Sequence, residues 1–138
     1  MQDDPDLDSH PLAGLSRPDW LDRFAELTAD NGHFAVLGAR HMASYVDHGG
    51  TLLVSFETVD GMRALSPREE PLGWSFVRAH GWSSLTLVAQ GDTWFRDPEV
   101  HAYFDRLIDD AFFEDFDRVL FFGAGPCGYA AAAYSVAA

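Results

Sequence analysis

Val119-Leu120-Phe121-Phe122-Gly123-Ala124-Gly125-Pro126-Cys127-Gly128-Tyr129-Ala130-Ala131-Ala132 reads as a strand, a tight glycine turn and a helix of small residues. The apolar run before the glycines does not alternate with polar residues. That is the habit of a strand buried on both faces, as in a parallel sheet. Arg118–Phe122 is therefore expected to be a central strand. Gly123, Gly125 and Gly128 allow a sharp turn and a helix packed close to the strand it follows.

Upstream, strands and helices alternate. Asp97 is a helix N-cap with Pro98 in the first turn. Val100, Tyr103, Phe104, Leu107, Ile108 and Ala111 then recur with helical period. Ser84–Ala89 is a buried strand. A short helix is expected over Leu72–Ala79, with Leu72, Phe76 and Ala79 on its apolar face and Gly81 as its stop. Asp60–Pro71, with Gly61, Pro67 and Pro71, reads as a loop. Thr51–Thr58 is a strand. This order implies an α/β fold, a mostly parallel sheet with flanking helices. His33–Leu37 and His41–Val46, separated by Gly38, form an antiparallel lead-in, and Asp47–Gly50 is the turn before Thr51. A first helix starts near Pro18, with Ser16 as candidate cap and Trp20, Phe24 and Leu27 on one face.

Residues 1–16 carry Asp3, Asp4, Asp6, Asp8, Pro5 and Pro11, and are expected to be a disordered acidic tail. Residues 17–138 make a single α/β domain. The last helix, Tyr129–Ala138, runs to the end of the sequence without a cap, so the chain is expected to be the front part of a larger domain, incomplete at its C-terminus. Nothing later then pairs with the outer side of Arg118–Phe122, and that exposed edge implies homo-oligomerisation.

The 138 residues are 47% hydrophobic and 14% aromatic, enough for a packed core. The net charge of −13, from 22 acidic and 9 basic residues, opposes binding to nucleic acid or to an anionic membrane. There is no basic, apolar leader and no apolar run long enough for a membrane helix, so the expected compartment is the cytoplasm. A single cysteine, Cys127, excludes an intramolecular disulfide. The N-terminal aspartates lack ligand spacing, and no metal is expected.

From Leu52 to Ala133 the chain resembles the α/β-hydrolase superfamily. The order is strand, loop, helix, strand, then Asp92-Thr93-Trp94-Phe95-Arg96, helix, strand and an elbow followed by Gly128-Tyr129-Ala130-Ala131. The resemblance implies a hydrolase-like topology and a site on the elbow. Gly123 aligns with the first glycine of G-x-S-x-G, which puts Gly125 at the nucleophile and Cys127 at the last glycine. Glycine offers no nucleophile. Pro126, which follows it, has no N–H for an oxyanion. The acid and histidine of such triads follow the serine, so they would lie beyond Ala138. The resemblance thus implies a hydrolase-like protein without a serine nucleophile, in a binding or structural role.

Gly123-Ala124-Gly125-Pro126-Cys127-Gly128 also fits G-x-G-x-x-G and is similar to the first turn of flavin-binding Rossmann proteins. That alternative implies a dinucleotide cofactor and an oxidoreductase. Gly123 would make the turn, Gly125 would admit the pyrophosphate and Gly128 would pack helix on strand. A third reading is simply structural, a tight crossover, and a fourth is catalysis of another kind. The whole chain further resembles an alphaproteobacterial group often labelled phosphoadenosine phosphosulfate reductase. Such reductases use a Ser-Gly-Gly loop and a cysteine in Glu-Cys-Gly. Here Ser-Gly-Gly is absent and the cysteine stands in Pro-Cys-Gly-Tyr, so the motifs do not support the label.

Other residues have chemical potential. Cys127, in the first turn of a helix, is the candidate catalytic group, since the helix dipole can activate a thiol; a buried apolar role is its alternative. Glu57 and Asp60, just past the buried part of the strand, which ends near Phe56, are placed as the lip of a site. His33, His41 and His48 read as surface or turn histidines, and Trp74, Trp82 and Trp94 as core or rim aromatics. Asp109, Asp110, Glu114, Asp115 and Asp117 read as a solvated acidic face.

Overall fold

The side chain of Ser16 accepts a hydrogen bond from the Asp19 N–H and sets the start of helix α1, Arg17–Asn31. Trp20, Phe24 and Leu27 fall on its inner face and are buried, as their spacing requires. A computed structural model of the chain describes residues 5–91, 93–124 and 126–137. Strands β1 (Gly32–Leu37), β2 (His41–Val46), β3 (Thr51–Thr58), β4 (Ser83–Ala89) and β5 (Arg118–Gly123) form one mixed sheet, in the order β1-β2-β4-β3-β5. The β1–β2 and β2–β4 pairings are antiparallel, and β4–β3 and β3–β5 are parallel. The antiparallel lead-in is thus present. Among the described residues, parallel pairing is confined to β4, β3 and β5, half of the pairings rather than most.

Helices cover both faces. Phe56, Leu85 and Leu87 point to α4 (Pro98–Asp109), the 3-10 turn Phe112–Asp115 and α5 (Pro126–Tyr134), where Phe104, Phe113 and Tyr134 close the core. Met42, Val46 and Val88 point to α1 and to α3 (Leu72–His80), against Trp20, Phe24 and Trp74. Asp97 caps α4 as its sequence requires, accepting from the Glu99 N–H at 2.8 Å. Gly81 ends α3 in the left-handed region, at φ 68°.

Several expectations are corrected. Part of the loop expected over Asp60–Pro71 is helix α2, Val59–Leu65. Thr58 caps it through the Gly61 N–H, and buried Val59 and Met62 hold it. Pro67 and Pro71 lie beyond its end. The buried face of α3 is Gly73, Trp74 and Val77; Leu72 is exposed, because Trp74 is drawn into the stack with Phe24. Ile108 is exposed, and Ala111 sits beyond α4 at φ 57°. The last helix begins at Pro126, not Tyr129, and gives way to a 3-10 turn at Ser135–Ala137; Ala138 lies outside the described residues.

The segment expected to be a disordered tail packs on the body over residues 5 to 16. Leu7 and Leu12 are buried, and Asp6 and Asn31 exchange hydrogen bonds of 2.9 and 3.0 Å. Asp3 and Asp4 lie outside the described residues.

Strand β5 is not central. Among the described residues it pairs with β3 alone, and it alternates exposed Arg118, Leu120 and Phe122 with half-buried Val119 and Phe121. Its apolar run covers both faces of an edge strand. Amides of β5 that point away from β3 should therefore exchange within seconds, while those across β3 and β4 stay protected in the same experiment. Protection of every β5 amide, lost on dilution, would show that a second copy covers the edge.

Candidate functional site

The parallel strands β3 and β5 end side by side, in register at Phe56 and Gly123. Beyond those ends lies a cavity of about 730 Å³. Phe56, Glu57 and Thr58 form its floor, with Gly61, Met62 and Leu65 of α2 on one side. Residues 66–68, Glu70, Pro71, Leu72 and Ser75 form the outer wall, and Phe122, Ala124 and Cys127 close it from the β5–α5 turn. Most of that lining is apolar. The position follows from topology, since open α/β sheets leave a crevice at the carboxyl ends of their strands.

Glu57 is the half-buried carboxylate of this cavity. It accepts hydrogen bonds from the Ser55 hydroxyl at 2.9 Å and from the Leu72 N–H at 3.2 Å. Burial pushes its pKa above the ordinary glutamate range, and the two hydrogen bonds oppose that shift. The outer wall is fixed by charge. Glu70 is paired in a bidentate fork with Arg78, and Arg78 and Arg68 both reach Asp8. Arg63 bonds Glu69, whose carboxylate also accepts from the Gly14 N–H and whose carbonyl accepts from Trp20 Nε1–H at 2.8 Å. The N-terminal segment thereby ties down the loop over the cavity.

The candidate residues from the sequence divide. Glu57 and Cys127 meet in the cavity. Cys127 is buried in the first turn of α5, with its N–H on the Ala124 carbonyl at 3.1 Å. Asp60 does not line the cavity: it turns outward to pair with Arg17 at 2.7 Å, because α2 rotates it to the exposed side. Gly123 is needed for packing, since a Cβ there would meet the Cys127 carbonyl oxygen. Gly128 lies close to the Gly123 carbonyl, at 3.2 Å from where its own Cβ would be. Close packing of α5 on β5 thus accounts for both glycines. Gly125 lies outside the described residues.

Comparison with protein-family models, curated protein sequences and solved structures gives no match. The chemistry therefore rests on this chain's own geometry. Among the described residues no cluster of three metal-ligating side chains occurs, and no helix is long and apolar enough to cross a membrane. The acidic residues Asp109, Asp110, Glu114, Asp115 and Asp117 are all exposed.

One grouping escaped the sequence reading. His41 is buried, not a surface or turn residue. Its Nε2 lies 2.6 Å from Thr93 Oγ1, and its Nδ1 lies 3.8 Å from Asp97 Oδ2 with no hydrogen-bond partner among the described residues. After Thr93, Trp94 and Phe95 both adopt positive φ, 55° and 57°. Each such non-glycine residue costs on the order of 1–3 kcal/mol. The Tyr134 hydroxyl donates to the Phe95 carbonyl at 2.9 Å and holds the turn in place. The residues come from three places in the chain, so no local pattern joins them. The nearest signal was a histidine opening a strand that is buried along its whole length.

Gly123→Ala should lower the unfolding free energy by about 1–3 kcal/mol, read from the urea midpoint, because α5 must move off β5 to admit a methyl group. A wild-type-like midpoint would refute the close approach. For Glu57 the native pKa is raised, so its contribution to stability is full at low pH and is lost as pH rises above 4.5 through the elevated value. Glu57→Gln should flatten that part of the pH–stability curve; an unchanged curve would show that the carboxyl is well solvated.

Proposed function

We propose that the protein is an α/β-hydrolase-like binding protein whose elbow carries no serine nucleophile, and that the cavity beside the elbow holds a largely apolar small molecule. The carrying observation is the cavity itself, apolar over most of its lining and provided with one half-buried carboxylate, Glu57. An elbow between β5 and α5, beside the connection that leaves β3, is the arrangement from which hydrolases build their site. At the nucleophile position stands Gly125, and the residue that should donate to an oxyanion is Pro126. What such a site retains is binding. Glu57 suits a ligand with a hydroxyl or amine at the end of an apolar body, because a carboxylate accepts hydrogen bonds.

Nile red, a neutral apolar fluorophore, is the test ligand. It should bind one molecule per chain with blue-shifted emission. Ser75→Trp, which fills the cavity from an exposed position of α3, should weaken binding at least about tenfold, or 1.4 kcal/mol. Equal binding by wild type and variant would defeat the reading. A fluorophosphonate probe should leave every serine unlabelled. The rival dinucleotide reading predicts a bound flavin chromophore, or heat on titration with NAD, FAD or adenosine phosphosulfate, and either result would replace the proposal.

A further inference from the structure

His41 opens β2, and its register partner is Ala89, the last residue of β4. Because β2 runs antiparallel to β4, His41 stands at the same end of the sheet as the carboxyl ends of β3, β4 and β5. Its side chain is 2% exposed, yet Nδ1 has no hydrogen-bond partner among the described residues and faces Asp97 Oδ2. We propose that Thr93, His41 and Asp97 form an acyl-transfer site, with Thr93 as nucleophile, His41 as base and simple carboxylic esters as the substrate class.

The proton positions follow from electrostatics. If Nδ1 carried a lone pair, that pair would point at a carboxylate from inside the protein, which is repulsive. The proton therefore sits on Nδ1, toward Asp97, and Nε2 accepts from the Thr93 hydroxyl at 2.6 Å. Thr93 Oγ1 also accepts from the Phe95 N–H at 3.2 Å, so its own hydrogen is left for Nε2. Asp97 cannot swing away, because its other oxygen caps α4 through the Glu99 N–H. Burial lowers the pKa of His41; Arg40 adds to the shift and Asp97 opposes it, leaving a neutral imidazole, the form a base needs. Nucleophile, base and orienting acid thus stand in series, the arrangement that identifies such sites on unrelated folds.

The surroundings fit the role. The two left-handed residues follow Thr93 directly, so the hydroxyl sits on a strained turn held by Tyr134. Trp94 and Tyr129 are exposed and in edge contact at 5.6 Å between ring centroids, and Arg96 lies over the Tyr129 ring at 5.1 Å. They offer apolar and cationic contacts beside a half-buried hydroxyl.

In the first half-reaction Thr93 Oγ bonds to the ester carbonyl carbon and its proton moves to His41 Nε2. The alkoxide then departs with that proton as an alcohol, leaving an acyl-threonine. In the second, water attacks the acyl carbon and gives its proton to Nε2. The Thr93 Oγ–carbon bond breaks, Oγ recovers the proton and the carboxylic acid is released. Ester and water become acid and alcohol with no further reactant.

The sequence contains no lysine, which removes the commonest site of adventitious acylation. The full chain, with Cys127→Ala to remove the thiol, is treated with p-nitrophenyl acetate and followed by nitrophenolate release and peptide mass mapping. A burst of one equivalent, with acetyl on Thr93, is expected. Thr93→Val should abolish both, and His41→Gln should slow the burst about 100-fold or more. Thr93→Ser should keep both the burst and the acetyl group, which a purely structural hydrogen bond would not require. Should Thr93→Val fail to fold, Thr93→Ser decides. Absence of acetyl from residue 93 in both the Cys127→Ala protein and its Thr93→Ser variant, or a burst that persists in folded Thr93→Val, overturns the proposal.

Discussion

Strand β3 is hydrogen-bonded along both edges by parallel partners, β4 on one side and β5 on the other, and residues Leu52–Phe56 are buried on both faces. Among the described residues, no other strand of the sheet has parallel neighbours on both sides. Because three strands run the same way, their carboxyl ends open together and the chain must leave each of them by a loop or helix. The crevice thus created is filled on one side by α2 and the start of α3, and on the other by the turn into α5. The cavity is the space between those exits, and its floor is the end of β3 itself.

What keeps that space from collapsing is the charged lattice of its outer wall. The loop between α2 and α3 contributes little apolar burial of its own; it carries Pro67, Pro71 and several charges. It is held instead by Arg63 of α2 and Arg78 of α3, which pair with its Glu69 and Glu70, and by Arg68 and Arg78, which reach Asp8 of the N-terminal segment. Exposed ion pairs contribute at most about 1 kcal/mol each. Here the pairs share partners and are joined by the Trp20 indole and the Gly14 amide, so the wall is held as a network. An acidic protein thus uses three of its nine cations at one place.

At the opposite wall, backbone packing dominates. The close approach of Gly123 to the Cys127 carbonyl sets the path of α5, and α5 in turn brings Tyr134 against Phe56 and Phe104 and under the Phe95 carbonyl. The close packing at Gly123 is thereby also what seats Tyr134 in the aromatic core. Its consequences reach the strained Trp94–Phe95 pair, with the His41–Thr93 contact just behind it.

Much of this was legible in the sequence. Ser16 and Asp97 announced their helices because a short polar side chain before a periodic apolar run has one good use, to satisfy the first amides. All five strands and the antiparallel start followed from turn residues and apolar runs. Glu57, placed by the sequence near a strand end, lies among the last residues of β3 and lines the cavity. What misled was local composition read without tertiary context: Pro67 and Pro71 hid α2, the aspartates hid the packing of Leu7 and Leu12, and the unbroken apolar run of β5 suggested a centre when it marks an edge. Apart from α2 and the two 3-10 turns, the sequence by itself determined the order and type of the elements, since capping, turn chemistry and periodicity are local. Only the tertiary structure decided which strand lies outermost, that Asp60 turns away while Cys127 turns inward, and that His41, Thr93 and Asp97 meet. Those outcomes depend on strand pairing and helix rotation between residues far apart in the chain, which no local pattern records.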